Sequence, residues 1–470
     1  MLPGVFKCAG HLLKVSVSFI TPKHSLVCVS STGKRRRKKK SWLLDGKTMS
    51  LEERLADTVT PLWRLSYDEQ LQWKQERQHN ILLQMANHLA QDSSLSASKE
   101  EVPFPVLSIV PSPVRDGYRN KSTFSVNRGI DGNPKTVGFY IGTGKGRNIV
   151  CIHGDHLLNM PPKHNLVARC YEDFIRASPL KPCLLFHDGG HWREITVRTN
   201  SAGNTMAIVY FHPQTLSSDE INVHKASLVE YFTKGPGRVC QLDSIYFQES
   251  SMTRCSHEVS PYQLLYGEPH IYEEVLGFKF RISADSFFQV NRGAAEALYT
   301  TVAELNKASE KGTLLDVCCG TGAIGISLSP RLKKVIGIEL IEQAVQDAKY
   351  NATLNGVQNC EFLSGKAELV LPKLIPAMQC EGALTAVVNP SRAGLHYRVI
   401  QALRNHPDIQ RLIYISCKPE GEALRNFREL CGKTTLKRNL TGVAFAPKLA
   451  VPVDMFPHTP HCELVLVLER

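Results

Sequence analysis

A buried-type strand followed at once by a glycine-rich turn is the feature that most constrains the fold of this chain. Leu314-Leu315-Asp316-Val317 leads into Cys318-Cys319-Gly320-Thr321-Gly322-Ala323-Ile324-Gly325. Gly320, Gly322 and Gly325 fit the pattern G-x-G-x-x-G, whose glycines let the backbone approach a ligand at a helix N-terminus. Glu339 ends the next predicted strand, where a carboxylate can accept hydrogen bonds from a ribose diol. The segment therefore predicts a nucleotide-type cofactor site.

Strands and helices alternate around this turn from about Gly267 onward. The predicted strands are 313–317, 334–339, 386–388 and 412–416, and the predicted helices are 293–305, 341–355, 397–405 and 420–431. Such alternation is typical of a doubly wound α/β sheet.

The preceding part of the chain has a different pattern. Ser66-Tyr67-Asp68-Glu69 has the form of a capping box and predicts a helix over 67–90, followed by a polar linker. From residue 104, short β-rich runs alternate with Gly and Pro, and 123–126 and 137–141 flank a turn typical of a hairpin. We therefore expect a helical segment with its linker at 45–103, a β-rich domain at 104–261 and an α/β domain at 262–470.

The charge is concentrated at the beginning of the chain. The formal net charge is +12, but residues 1–44 hold ten Lys and Arg and no Asp or Glu, so the remainder carries only +2. An acid-free basic leader is typical of a mitochondrial transit peptide, although the run Lys34–Lys40 also suits a nuclear or nucleolar import signal. The 14 cysteines show no paired spacing and indicate a reducing compartment, and no apolar run reaches the length of a membrane span.

Three later segments place polar residues where the α/β sheet would end. Cys417 follows the strand that ends at Ser416, Asn389-Pro390-Ser391-Arg392 follows another strand, and Glu463 precedes the terminal strand. Ligands of α/β sheets bind at the carboxyl ends of the strands. Taken singly, a buried Cys or a capping Glu has an ordinary structural role.

Together these segments resemble the RNA uracil-5-methyltransferase family, which joins a β-rich RNA-binding domain to a Rossmann-like, class I methyltransferase domain that uses S-adenosyl-L-methionine. The matching residues, in family order, are Phe288-Gln289-Val290-Asn291, the Gly320 turn, Glu339, Asn389-Pro390-Ser391-Arg392, Ser416-Cys417-Lys418-Pro419 and His461-Cys462-Glu463. With its basic leader, the chain resembles the vertebrate mitochondrial branch of that family. The resemblance implies a target uridine in the T-loop of tRNA, in rRNA or in both.

The resemblance implies a role for each matching residue. Carbon 5 of uracil is a weak nucleophile, so the family adds a thiolate to carbon 6. Cys417 matches this nucleophile, with Lys418 as a neighbouring cation, and Glu463 matches the base that later removes the carbon 5 proton. The cofactor-binding positions matched are Gln289, Glu339, Asn389, Gly320 and Gly322.

One departure from the family pattern keeps alternatives open. Asn389 stands where the family usually has Asp, so hydrogen bonding survives but a negative charge does not. An RNA-binding or RNA-folding protein with weakened or lost methyltransferase activity is therefore one alternative. A nicotinamide-dependent oxidoreductase is another, and an RNA cytosine-5-methyltransferase is disfavoured because the Asn389 turn has no Cys.

A target base inside a folded RNA must leave its stack to reach Cys417. Tyr118, Arg119, Lys121 and Phe124 interleave rings with cations and are the predicted RNA contacts, together with the basic loop 142–147. No metal is expected, because neither Cys151-x-His153-x-x-His156 nor His458-x-x-His461 has a four-ligand pattern.

Overall fold

Two mixed sheets organise the part of the chain that the computed structural model describes. This part comprises residues 49–93, 101–142, 149–184, 189–251, 260–307, 311–378, 382–433 and 439–470. The leader predicted at 1–44 and residues 143–147 of the basic loop lie outside the described residues.

Two helices precede the first sheet, and each begins at a capping box. Ser50 caps α1 (Leu51–Val59) together with Glu53. At α2 (Tyr67–Ser93) the Glu69 amide donates to Ser66 Oγ at 3.4 Å, and the Ser66 amide donates to Glu69 Oε2 at 2.9 Å. The capping box and the start of the helix predicted at Tyr67 are thus confirmed. Leu82 and Met85 of α2 are buried in the same core as the second sheet.

The first sheet is largely antiparallel, with β5 and β6 as its parallel pair. Its spatial order is β3-β2-β1-β4-β5-β6-β7. The strands are β1 (Lys121–Asn127), β2 (Thr136–Ile141), β3 (Val150–Ile152), β4 (Trp192–Thr199), β5 (Thr205–Phe211), β6 (Ser244–Glu249) and β7 (Tyr262–Gly267). The helices that share its core are α1, α3 (Pro162–Ala177) and α4 (Ser218–Thr233). The hairpin predicted around Asp131 is present as β1–β2.

The first sheet extends further along the chain than the sequence indicates. Tyr262 begins β7, which pairs antiparallel with β6, so this sheet continues past the expected boundary at residue 261 and ends at Gly267. Gly267 has φ +80 and would place a Cβ 1.8 Å from the Asp243 carbonyl oxygen, a position that only glycine can occupy. A separate hairpin of β8 (Ile271–Val275) and β9 (Phe278–Ile282) follows.

The second sheet confirms the predicted doubly wound α/β architecture. Its order is β12-β11-β10-β13-β14-β16-β15, with β10 to β14 parallel and the last two strands antiparallel. The strands are β10 (Thr313–Val317), β11 (Lys334–Glu339), β12 (Cys360–Ser364), β13 (Leu384–Val388), β14 (Ile409–Ser416), β15 (Ala446–Val453) and β16 (Glu463–Glu469). The helices are α5 (Arg292–Asn306), α6 (Ala323–Leu328), α7 (Glu342–Leu354), α8 (Ala367–Ala377), α9 (Tyr397–Asn405) and α10 (Glu422–Cys431).

Burial on both faces explains why the central strands are almost continuously apolar. Every residue of β10 and of β13 is buried. Successive residues of β10 enter different cores, Leu314 on one face and Leu315 on the other, as strand geometry requires. The strand order reverses between β10 and β13, which is where such sheets bind ligands. Among the described helices, none has the length and hydrophobicity needed to cross a bilayer.

Candidate active site

A cavity of about 860 Å³ lies at the carboxyl ends of the central parallel strands. Residues just after β10, β13 and β14 line it, together with the last residue of β11. The predicted catalytic and cofactor-binding residues that line it are Gln289, Gly320, Glu339, Asn389, Cys417 and Glu463. Arg119, predicted as an RNA contact, lines it as well. The sheet thus brings together residues that are far apart in the sequence.

The glycine turn and Glu339 form one side of the cavity. Glu339 Oε2 accepts a hydrogen bond from the Gly320 amide at 3.1 Å, and Oε1 accepts from the amides of Leu340 and Ile341 at 2.8 and 3.0 Å. These bonds fix the carboxylate while leaving lone pairs for a ligand. Gly320 has φ +55, and a Cβ there would meet nothing within 4 Å, so the backbone faces open space.

Gly322 lies beneath the cavity as the N-cap residue of α6. Its φ is +79, and an added Cβ would lie 2.8 Å from Phe362 Cζ. Asp316 is also behind the loop rather than in the cavity, because it is fully buried and its Oδ2 accepts from the Gly325 amide at 2.9 Å. Burial raises the pKa of Asp316 to about 7. Both residues therefore support the turn from below.

Gln289 and Asn389 reach the cavity from two different connections. The Gln289 carbonyl accepts from Asn120 Nδ2 at 2.8 Å, which ties the start of the first sheet to the segment before α5. The Asn389 amide donates to the Val317 carbonyl at 3.1 Å and so joins the ends of β13 and β10. The Asn389 side chain presents a neutral amide to the cavity, able to donate and to accept.

Cys417 and Glu463 meet at the end of an antiparallel strand pair. Ser416 of β14 is paired with Leu464 of β16, so the residues one step further on, Cys417 and Glu463, lie side by side. Glu463 is buried, and no residue in the described part of the chain forms a hydrogen bond with its Oε2. Burial raises its pKa to about 8 and Arg392 opposes that shift, so the carboxyl group is poised to exchange a proton near neutral pH.

Arg392 is a site residue whose role the sequence did not reveal. Burial and, secondarily, Glu463 raise the pKa of Cys417, whereas a hydrogen bond from Arg392 lowers it. The cation acting on the sulfur is therefore Arg392, not the adjacent Lys418 that the sequence suggested. Arg392 belongs to the Asn389 turn, and its place in that strand-end turn was the sequence feature that could have indicated its role.

The predicted RNA contacts divide into two groups. Arg119 lines the cavity, and Lys121 lies nearby at the beginning of β1. Burial, then the neighbouring Arg198, lowers the pKa of Lys121 to about 8. The expectation is wrong for the rings: Phe124 is buried in the core against Phe139, and Tyr118 is buried with its hydroxyl donating to the Pro457 carbonyl at 3.1 Å. Neither ring presents a face to a base.

An exposed ring that the sequence analysis missed lies on the cavity wall. Phe287 is 66% exposed although it is a large apolar residue. It directly precedes the Phe288-Gln289 motif. Two adjacent phenylalanines next to a predicted cofactor residue were the sequence feature that could have indicated an exposed ring here.

One histidine of each histidine-containing pattern is paired with a side chain of the protein. Within the described ranges, no group of three His, Cys, Asp or Glu side chains is arranged to hold a metal ion. His153 pairs with Glu172 at 2.8 Å. His458 Nε2 pairs with Asp116 Oδ1 at 2.7 Å, and its Nδ1 bonds with Gln70.

Comparison with known proteins shows which family the chain is similar to. The family model for tRNA (uracil-5-)-methyltransferase matches residues 272–470. The chain is 73% identical over 422 residues to "tRNA (uracil-5-)-methyltransferase homolog B" of Danio rerio, covering 90% of this chain and 88% of the relative. It is 55% identical over 445 residues to the human protein of the same name, covering 93% and 88% respectively.

A solved structure is similar over most of the chain. The crystal structure of Pyrococcus abyssi tRNA (uracil-54, C5)-methyltransferase in complex with S-adenosyl-L-homocysteine superposes with a TM-score of 0.60 at 25% identity. The match covers 87% of this chain and 84% of that one. The similarity therefore includes both sheets.

Proposed function

Because the chain belongs to the tRNA (uracil-5-)-methyltransferase family, whose members methylate carbon 5 of uracil in tRNA with S-adenosyl-L-methionine, we propose that Cys417 and Glu463 carry this reaction through a covalent adduct. The observation that carries the proposal is their adjacency in the cavity that Gly320 and Glu339 also line. A protein that only bound RNA would need neither group.

The residues of the cavity suit the cofactor. Glu339 offers carboxylate lone pairs at a strand end, the open side of Gly320 allows close backbone approach, and Gln289 and Asn389 supply amides. These four residues would hold the cofactor, with Gly322 supporting the turn. When bound, S-adenosyl-L-methionine supplies an electrophilic methyl group and leaves as S-adenosyl-L-homocysteine.

Cys417 begins the reaction. Its thiol loses a proton to solvent, and the Arg392 guanidinium stabilises the resulting thiolate. The sulfur then adds to carbon 6 of uracil, and the electron pair of the double bond moves onto the carbonyl oxygen as an enolate. Carbon 5 takes the methyl group as the enolate collapses to the carbonyl.

Glu463 completes the reaction. Carbon 5 now holds both a methyl group and a proton, and the Glu463 carboxylate takes the proton. The pair from the broken C–H bond restores the double bond between carbons 5 and 6, and the C–S pair leaves with Cys417 as thiolate. Glu463 then releases its proton to solvent, which a pKa of about 8 permits.

For the RNA, we propose that Arg119 and Lys121 contact phosphates and that Phe287 stacks on the extruded base. The first two are cations at or near the cavity, and the third is an exposed ring on its wall. Tyr118 and Phe124 support this surface from inside. The target is a uridine in structured RNA, either in the T-loop of tRNA or in rRNA.

The leader supports a mitochondrial location. Residues 1–44 combine ten basic residues with no acid, and nuclear or nucleolar import is the competing destination. Fusing residues 1–44 to a fluorescent reporter tests this, with a fusion in which Lys34–Lys40 are replaced by Ser as the control. Mitochondrial import that survives the replacement supports the transit peptide, and nuclear accumulation of the intact fusion contradicts it.

Because Asn389 stands where the family usually has Asp, a second candidate function is that of an RNA-binding or RNA-folding protein with weakened methyltransferase activity. One experiment separates the two functions: purified protein is incubated with labelled S-adenosyl-L-methionine and unmodified mitochondrial tRNA or rRNA transcripts. Label in 5-methyluridine supports the enzyme and identifies the RNA. RNA binding without label, restored to methylation by Asn389→Asp, supports the second candidate.

A further inference from the structure

Glu463 lies at the end of the β15–β16 hairpin, and the loop that connects these two strands is held by contacts with another helix. Val453, the last residue of β15, is paired with Glu463, the first residue of β16. Asp454 is therefore the first residue of the connecting loop, next to the strand partner of the proposed base. No described residue forms a hydrogen bond with Glu463 Oε2, and the hairpin backbone sets the point from which the Glu463 side chain extends into the cavity.

The anchor comes from α2, at the other end of the chain. Lys74 Nζ lies 2.5 Å from Asp454 Oδ1 and 3.0 Å from the Phe456 carbonyl oxygen. The hydroxyl of Tyr67 donates to Asp454 Oδ2 at 3.0 Å and accepts from the Ser112 amide at 2.7 Å. The family model matches residues 272–470, so α2 lies outside the segment that the model describes, while the Danio rerio relative aligns over 90% of the chain.

A second contact fixes the middle of the same loop. The His458 amide donates to Gln70 Oε1 at 2.7 Å, and Gln70 Nε2 bonds with His458 Nδ1 at 3.2 Å. His458 has φ +66, a left-handed conformation that a non-glycine residue adopts only when its surroundings hold it. Three side chains of α2 thus grip the loop that precedes Glu463.

The buried Lys74–Asp454 ion pair contributes little to stability compared with an apolar contact of the same size. Both side chains of the Lys74–Asp454 pair are 0% exposed. Burying two charges costs desolvation that an apolar pair would avoid, so such pairs are weak stabilisers although they fix geometry. Fixing the position of the loop therefore explains the Lys74–Asp454 pair better than stabilising the fold does.

We propose that the buried pair of Lys74 and Asp454, with Tyr67, is a positioning device that holds Glu463 in register for the removal of the carbon 5 proton. This rests on the proposed function of Glu463. None of these three side chains lines the cavity that holds Cys417 and Glu463. The device acts on the last chemical step, so its loss slows release of the methylated RNA more than it slows methyl transfer.

The test removes the pair without leaving a lone buried charge. In Lys74→Met with Asp454→Asn, both charges are lost while the side-chain volumes are kept. Methyl transfer is followed in a single turnover as the total label in RNA, which is the sum of free RNA and RNA linked to the protein. Release is followed as free RNA that contains 5-methyluridine. Lys334→Met, which breaks an exposed pair with Glu361, is the matched control.

We expect release to slow about tenfold to a hundredfold in the double variant, with methyl transfer within about threefold of wild type. Protein-linked methylated RNA should then accumulate, and Lys334→Met should behave as wild type. Unchanged release in a folded double variant, or equal slowing of both steps, overturns the proposal. If the double variant does not fold, the same two rates are measured in Tyr67→Phe. Slowing of release alone supports the proposal, and unchanged release or equal slowing of both steps overturns it. Absence of any 5-methyluridine from wild type would instead refute the proposed function.

Discussion

Ser416 of β14 and Leu464 of β16 are paired in the antiparallel part of the second sheet, and this pairing sets Cys417 beside Glu463. The proposed nucleophile, Cys417, and the proposed base, Glu463, follow and begin two antiparallel strands that meet at one end of the sheet. A shift of one residue in this register would turn one of the two side chains to the other face of the sheet. The register of β14 and β16 is therefore as important to the chemistry as the two side chains.

Arg392 should control the reactivity of Cys417. Because its hydrogen bond lowers a thiol pKa that burial raises, Arg392→Met should move the pH profile of Cys417 alkylation by iodoacetamide to higher pH. Methyl transfer at pH 7.5 should fall about tenfold or more. Mass spectrometry of the Cys417 peptide measures alkylation, and Arg398→Met on α9 is the control. An unshifted alkylation profile would remove Arg392 from the mechanism.

The pKa of Glu463 should be visible in stability. Its pKa is raised from 4.5 to about 8, so the native state binds this proton between those values while the unfolded state does not. Stability therefore falls as pH rises through this window and reaches its low plateau above pH 8. Glu463→Gln should remove that fall. The difference in unfolding free energy between wild type and variant, measured with urea from pH 5 to 9, checks this, and a difference independent of pH would contradict it.

Glycine substitutions should separate turn support from cofactor approach. Gly356→Ala, at φ +67 with nothing near its Cβ, should cost about 1 kcal/mol of unfolding free energy. Gly322→Ala should cost about 2 to 4 kcal/mol, because Phe362 must also move. Gly320→Ala should cost no more stability than Gly356→Ala but should weaken S-adenosyl-L-homocysteine binding in calorimetry. Equal affinity in Gly320→Ala and Gly356→Ala would exclude close approach at Gly320.

Asn389 should bind cofactor through its amide. Asn389→Ala should weaken S-adenosyl-L-homocysteine about tenfold, because one or two hydrogen bonds are lost. Asn389→Asp should bind within about threefold of wild type, since the shape and one acceptor are kept. Calorimetry measures both affinities. Wild-type affinity in Asn389→Ala would show that the residue lines the cavity without contacting the cofactor.

Local pattern predicted the central strands β10, β11, β13 and β14 of the second sheet, whereas β12, β15 and α8 were not predicted. The run ending at Val317, the positive-φ positions Gly320 and Gly322, and the strand-end acid Glu339 each carry their structural reason within a few neighbouring residues. Because the carboxyl ends of parallel strands share an edge, the convergence of Asn389 and Cys417 also followed.

Side-chain direction and long-range contacts could not be predicted in the same way. The alternation in β1 does not say which face is buried, and Phe124 proved to face the core. The Lys74–Asp454 pair joins residues 380 positions apart, and nothing in the neighbourhood of Lys74 marks it as buried. Arg392 and Cys417 likewise meet only through the packing of two connections.

A covalent bond between Cys417 and carbon 6 of uracil can be detected by mass spectrometry when its resolution is blocked. Glu463→Gln is incubated with S-adenosyl-L-methionine and an unmodified tRNA transcript, then digested with nuclease and trypsin. We expect a peptide containing Cys417 that carries a methylated uridine nucleotide. This peptide should be absent when Cys417→Ala is added and retained when Cys360→Ala, outside the cavity, is added instead. Methylation of the RNA at the wild-type rate by Cys417→Ala alone, with no nucleotide on any peptide, would contradict it.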